Sequence, residues 1–194
     1  MSRRFGHGGN WAGAVALLRL HSVCPGIFSN VVRPSPRVLD GVGTVARLGL
    51  AAVWFVSGGI KAADLNQAYI AVHAYDVLPG GVVSVVAAAV PFVELALGLL
   101  LLLGLGTRLT AALSAIVLLA FIVAISQAWA RGLTIDCGCF GGGGQVAAGQ
   151  TAYPQEIARD IGFLVLAGWL LVRPHSWLSM DGWLTRRPAV VGED

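Results

Sequence analysis

The sequence is poor in charge, in cysteine and in lysine, and each shortage removes a class of protein. Only 12 % of its 194 residues are charged, about half the roughly 25 % of a soluble domain, which excludes a disordered chain and a charge-laced coiled coil. Three cysteines are too few for a disulfide-built secreted domain. Lys61 is the single lysine among 13 basic residues, and the arginines are scattered near helix ends. No phosphate-binding stripe results, so no nucleic-acid partner is expected. What the chain has instead is 56 % hydrophobic residues and a mean hydropathy of +0.76. They are gathered into long uncharged runs, the mark of an integral membrane protein whose first partner is the lipid bilayer.

Four runs are candidate spans, at about residues 44–63, 82–105, 109–130 and 154–172. The third is free of charge from Leu109 to Ala130 and, at about 1.5 Å per residue, just crosses a roughly 30 Å hydrocarbon core. The fourth is the weakest by hydropathy, with Glu156, Arg159 and Asp160 in its first turns expected at headgroup level. Pro154 suits its first helical position. Between the first two spans, Leu65, Tyr69, Val72 and Tyr75 recur at helical spacing, and Leu78-Pro79-Gly80-Gly81 ends the pattern. That segment is expected to lie at the interface and cap one end of the bundle. The expected fold is therefore an all-α, four-helix membrane bundle with an interfacial helical segment after the first span. Residues 1–41 read as a poorly ordered cytoplasmic leader, 42–173 as the transmembrane domain and 174–194 as a cytoplasmic tail.

Orientation follows from the basic residues near span ends. Arg33, Arg37, Arg47, Arg108, Arg173, Arg186 and Arg187 share one side; Lys61, Arg131 and Arg159 share the other. Positive charge favours the cytoplasm, so both termini are expected inside a multi-pass plasma-membrane protein. The long loop over 131–153 is then extracytoplasmic, where thiols can stay oxidised.

That loop carries Cys137-Gly138-Cys139. Two cysteines one residue apart can close a small strained disulfide, and strain makes a disulfide a better oxidant. The flanking glycines are expected to leave the sulfurs accessible, and His73, on the same side, is a candidate base. The other reading is a structural disulfide, or two idle thiols in a glycine-rich loop. A soft metal held by the pair with His73 or Asp136 is a further reading, but a closed zinc site takes four ligands and no second clear pair is present; no metal is assigned. Cys24, in the leader, cannot reach the loop.

Glu94 stands halfway along the second span, where an ionisable group is costly and must face the bundle interior or be protonated. It reads either as a proton relay or quinone contact, or as a carboxyl paired with a base to lock helices together. Lys61 is the obvious partner, yet it sits near the outer end of its span; snorkelling to the interface is the expected behaviour. Pro91, Glu94 and Gly98 share a face that lets a neighbouring backbone approach closely.

With these residues in hand, a resemblance can be stated. Arg47, Ser57-Gly58-Gly59-Ile60-Lys61, Tyr75, Leu78-Pro79, Pro91-Phe92-Val93-Glu94-Leu95, Gly98 and Leu103-Gly104 resemble the DoxX-like four-helix membrane proteins. Asp136-Cys137-Gly138-Cys139-Phe140-Gly141 after the third span and Arg159-Asp160 opening the fourth are most similar to the methylamine-utilisation MauE family, over about residues 42–173. The family usually has Arg-Asn where this chain has Arg159-Asp160. The resemblance implies a redox-associated membrane protein that supports disulfide formation in extracytoplasmic proteins, as in methylamine dehydrogenase maturation. Cys137 and Cys139 would be the redox pair, a thioredoxin-like or disulfide-containing secreted protein the partner, and a quinone a candidate acceptor. With no second pair of shuttle cysteines, a two-pair relay is excluded. A non-catalytic scaffold of a redox complex is the alternative, ahead of metal delivery or transport.

Overall fold

The computed structural model describes residues 35–174 and 179–180. Most of the expected leader and tail, with Cys24 and His175, lies outside the described residues. The elements are helices α1 (Pro36–Ala63), α2 (Leu65–Ala74), α3 (Gly80–Leu103), α4 (Thr107–Ala130) and α5 (Tyr153–Val172), with short strands β1 (Ile135–Asp136) and β2 (Gly144–Gln145) between α4 and α5.

Three helices, α1, α3 and α4, are long and apolar enough to cross a membrane. The fourth, α5, spans 20 residues, but Glu156, Arg159 and Asp160 in its first half keep it out of that class. Helix α1 begins about eight residues earlier than the sequence suggests, so 36–41 are helical rather than leader. Pro36 opens it at no cost, because the first N–H groups of a helix have no internal partner. Pro91 lies inside α3, and the helix continues through it.

Helices α1 and α3 pack antiparallel along a seam of small residues. Arg47 Nη1 donates to the carbonyls of Leu101 and Leu102 at 3.0 and 3.2 Å. Farther along, Gly98 faces Ala51 and Trp54, and Gly58 faces Pro91 and Glu94. A Cβ on Gly58 would stand 2.9 Å from the Pro91 carbonyl oxygen, so only glycine lets the two backbones meet there. Buried Trp54 joins α1 to α4 by donating to Ser114 Oγ at 3.0 Å. Helix α5 lies along α4, with Trp129 and Tyr153 stacked at the end near the cysteine loop. The turn between α3 and α4 is made by Gly104 and Gly106, both at positive φ, and Ser179 donates to the Gly104 carbonyl at 3.0 Å.

The loop after α4 is not purely irregular, as an all-α reading expects. Strands β1 and β2 pair antiparallel, Ile135 with Gln145 and Asp136 with Gly144. Helix α2, capped by the Asp64 side chain, lies over this hairpin. Ala71 fits against Gly138 and Gly143, which hold φ of +68° and +98°. Gln67 Nε2 donates to the carbonyls of Gly142 and Gly143, both at 2.9 Å. A strap of small side chains over a glycine-rich loop lets two backbones close without clash, and left-handed φ admits little but glycine.

Candidate functional site

Helix geometry brings Lys61 and Glu94 together. Side chains lean toward the N-terminus of their own helix. On antiparallel helices, Lys61 therefore leans inward along α1 while Glu94 leans outward along α3. Lys61 Nζ lies 3.0 and 3.1 Å from the two Glu94 carboxylate oxygens, and 5.8 Å from the centre of the Phe121 ring. Phe121 is about 13 Å short of the end of α4 at ~1.5 Å per residue, so the ammonium is well inside the bundle. The expectation that Lys61 snorkels outward is corrected: a fully buried carboxylate within reach holds the cation in preference to water, and Gly58 removes the bulk that would keep the helices apart.

The same ammonium holds the cysteine loop. Lys61 Nζ donates to Ser57 Oγ at 2.6 Å and to the Cys139 carbonyl at 3.0 Å, and Ser57 Oγ donates to that carbonyl at 2.7 Å. All three ammonium hydrogens are thus used. A buried backbone carbonyl needs a hydrogen-bond partner, and Ser57 with Lys61 satisfies this one.

The sulfurs are not accessible, contrary to the sequence reading. Cys137 and Cys139 are free thiols and only 8 % and 7 % exposed, packed with Ile125, Ala128, Ile135 and Tyr153 and flanked by Tyr75, Phe140 and Ile157. The glycines, expected to open the loop, instead let it fold down under α2. Asp136 Oδ1 accepts the Gly138 N–H at 2.8 Å, and Tyr75 Oη donates to the Cys137 carbonyl at 3.2 Å. Burial pushes the Tyr75 hydroxyl up, so it stays a donor. Tyr153 ties the loop to α5, donating to the Leu133 carbonyl at 2.7 Å and accepting from Ile135 N–H.

The two thiols are not equivalent. Cys137 Sγ accepts the Cys139 N–H at 3.3 Å and faces Arg159 Nη2 at 3.9 Å. The Cys139 thiol, as donor to Cys137, holds Cys137 below the ordinary thiol range against burial, and Arg159 adds to this. That same donated hydrogen bond and burial push Cys139 up. Cys137 is therefore the more acidic thiol of the pair. Arg159 is fixed by Asp160 Oδ1 at 3.1 Å and by the Phe140 ring 4.7 Å away.

Of the residues singled out in sequence, Cys137, Cys139, Lys61, Glu94, Arg159 and Asp160 gather at one end of the bundle. His73 does not join them. It stacks on Tyr69 and lines a groove of about 200 Å³ with Ile70, Ala74, Gly144 and Gln145; no hydrogen bond joins it to either thiol among the described residues. Ser57, Tyr75 and Glu156 are additional. Glu156 is buried in the protein; its i, i+4 relation to Asp160 was the available signal. Asp136, Cys137 and Glu156 each bring a donor atom within 4.8 Å of the other two. Three donors are one short of a closed zinc site, and Arg159 already brings positive charge to the sulfur. The set is better described as two carboxyl groups around a thiol.

A family model described as methylamine utilisation protein MauE matches residues 39–173. The chain belongs to that family. No curated protein and no solved structure matches it.

Proposed function

We propose that this MauE-family chain is a membrane-embedded partner in extracytoplasmic thiol–disulfide exchange, with Cys137 and Cys139 as its redox pair. In this reading α5 is the fourth span, both termini are cytoplasmic, and the hairpin faces outward under α2. The client is a secreted thioredoxin-like or disulfide-containing protein, with maturation of methylamine dehydrogenase as the setting that the family name suggests.

The observation that carries the reading is the asymmetry of the two sulfurs. Cys137 has a backbone donor, a thiol donor and a guanidinium directed at it, the surroundings of a sulfur that works as thiolate. Cys139 is the protonated neighbour two residues on, placed to resolve. In the oxidising direction a client thiolate attacks Cys137 Sγ of the Cys137–Cys139 disulfide. That bond breaks, a mixed disulfide forms, and Cys139 leaves with the bonding pair and takes the proton that the second client thiol gives up. The second client thiolate then attacks the client sulfur of the mixed disulfide, and Cys137 leaves as thiolate. The client loses two electrons and the pair gains them.

The test is trapping. Run in reverse, the Cys137 thiolate attacks a client disulfide, and in Cys139→Ser no second sulfur resolves the adduct, so mixed disulfides between Cys137 and secreted proteins should accumulate in intact cells. Cys137→Ser should trap far fewer. Absence of such adducts, or full function retained when both cysteines are serine, sinks the exchange reading and leaves a scaffold.

A further inference from the structure

Two buried carboxylate oxygens beside the thiols have no hydrogen-bond partner among the described residues: Glu156 Oε2 and Asp160 Oδ2. Asp160 keeps its other oxygen on Arg159. Glu156 is the less explained of the two. It is only 9 % exposed, lies in the first turn of α5, and brings a carboxylate oxygen within 4.8 Å of Cys137 Sγ. The titratable and charged groups around it are Asp136 and Cys137 on the loop, Tyr75 from beyond α2, and Tyr153, Arg159 and Asp160 on its own helix. Among these the single nearby cation, Arg159, is already shared between Asp160 and Cys137.

A carboxylate and a thiolate this close, both shielded from water, repel each other strongly. One proton between them removes the repulsion. A carboxylate oxygen with no other partner is the natural place for it when the sulfur is ionised.

We propose that Glu156 is the proton partner of Cys137, one proton being shared between its carboxyl and the thiol and moving to the carboxyl whenever the sulfur becomes thiolate. The transfer is Cys137–SH plus Glu156 carboxylate to Cys137 thiolate plus Glu156 carboxylic acid. Within the exchange reading above, on which this further step rests, the first client thiol gives its proton to Glu156 as its sulfur attacks Cys137 Sγ, and the second client thiol gives its proton to the departed Cys139. Cys137, when later displaced with its electron pair, takes that proton back, and Glu156 ends as it began. No oxidant beyond the Cys137–Cys139 disulfide is needed for this half of the cycle.

The experiment uses full-length reduced protein in detergent, in a Cys24→Ser, Cys139→Ser background, so that Cys137 is the only thiol. The rate of its alkylation by iodoacetamide is followed against pH by mass spectrometry. With Glu156 present, two linked inflections are expected. Glu156→Gln should leave a single inflection ~1–2 pH units lower, with alkylation at neutral pH about tenfold faster. Glu156→Asp, which keeps a carboxylate, should retain two. A single midpoint that is the same with and without the Glu156→Gln substitution overturns the proposal. So does a shift that Glu156→Asp reproduces in full, since that would be a packing effect. The outcome is separable from that of trapping. If no client adduct forms but Glu156→Gln turns two inflections into one, the exchange reading falls and the shared proton stands; if adducts form and Glu156→Gln leaves the profile unchanged, the reverse holds.

Discussion

Glu94 is fully buried and Lys61 nearly so, and at this residue scale the pair works as a clamp. Removing two charges from water costs several kcal/mol per ion, recovered only when geometry and remaining hydrogen bonds are complete. Here they are, through Ser57 and the Cys139 carbonyl. Lys61→Met or Glu94→Ala alone should therefore cost about 3–5 kcal/mol, because each strands the other charge. Lys61→Met combined with Glu94→Leu should cost less than either, as measured by thermal unfolding in detergent. The thiols give a second expectation. In a Cys24→Ser background, Cys139→Ala removes the S–H donor that lowers Cys137. The thiolate then loses stabilisation, its midpoint rises, and alkylation of Cys137 slows at any pH below that midpoint. An unchanged or lowered midpoint would mean that Arg159 alone sets it.

Elements carry the next level, where one helix covers another's work. Helix α2 holds the cysteine hairpin through Ala71 and Gln67 rather than through any group that reacts. Gly143→Val puts a branched side chain at φ +98° against Ala71, which strains the backbone and fills space the strap needs. The hairpin should lift, and maleimide should label both thiols faster, while the α1–α3 seam is untouched. Substitution within that seam acts differently. Gly58→Val drives atoms into the Pro91 carbonyl and Glu94 and should cost about 1–3 kcal/mol or more by overpacking. It should also weaken the Lys61–Glu94 clamp, read as faster labelling together with a lower unfolding temperature.

For the whole molecule, the outward surface is the informative one. Phe92, Leu109, Ile116, Val123 and Val165 are each at least 60 % exposed, large apolar side chains turned outward on three helices and suited to lipid contact. The protein should remain in the membrane fraction through high-salt and alkaline washes; release by either would be incompatible with spanning helices. That outward hydrophobicity was legible in the sequence because lipid selects on composition and run length alone. So were the helix positions, the early start of α1 apart, and the cysteine pair. What the linear chain did not reveal was depth and direction. Whether Lys61 turns to water or to Glu94 depends on the antiparallel register of α1 and α3 and on the tilt of side chains along each axis. Whether the thiols face solvent or lie under α2 depends on where the glycine loop folds. Covalent sequence determined the lipid-facing rods and the reactive residue types, since those follow from local hydrophobicity and spacing. Tertiary structure alone decided which charges meet and which sulfur Arg159 faces, because such pairings are set by distances between segments far apart in the chain.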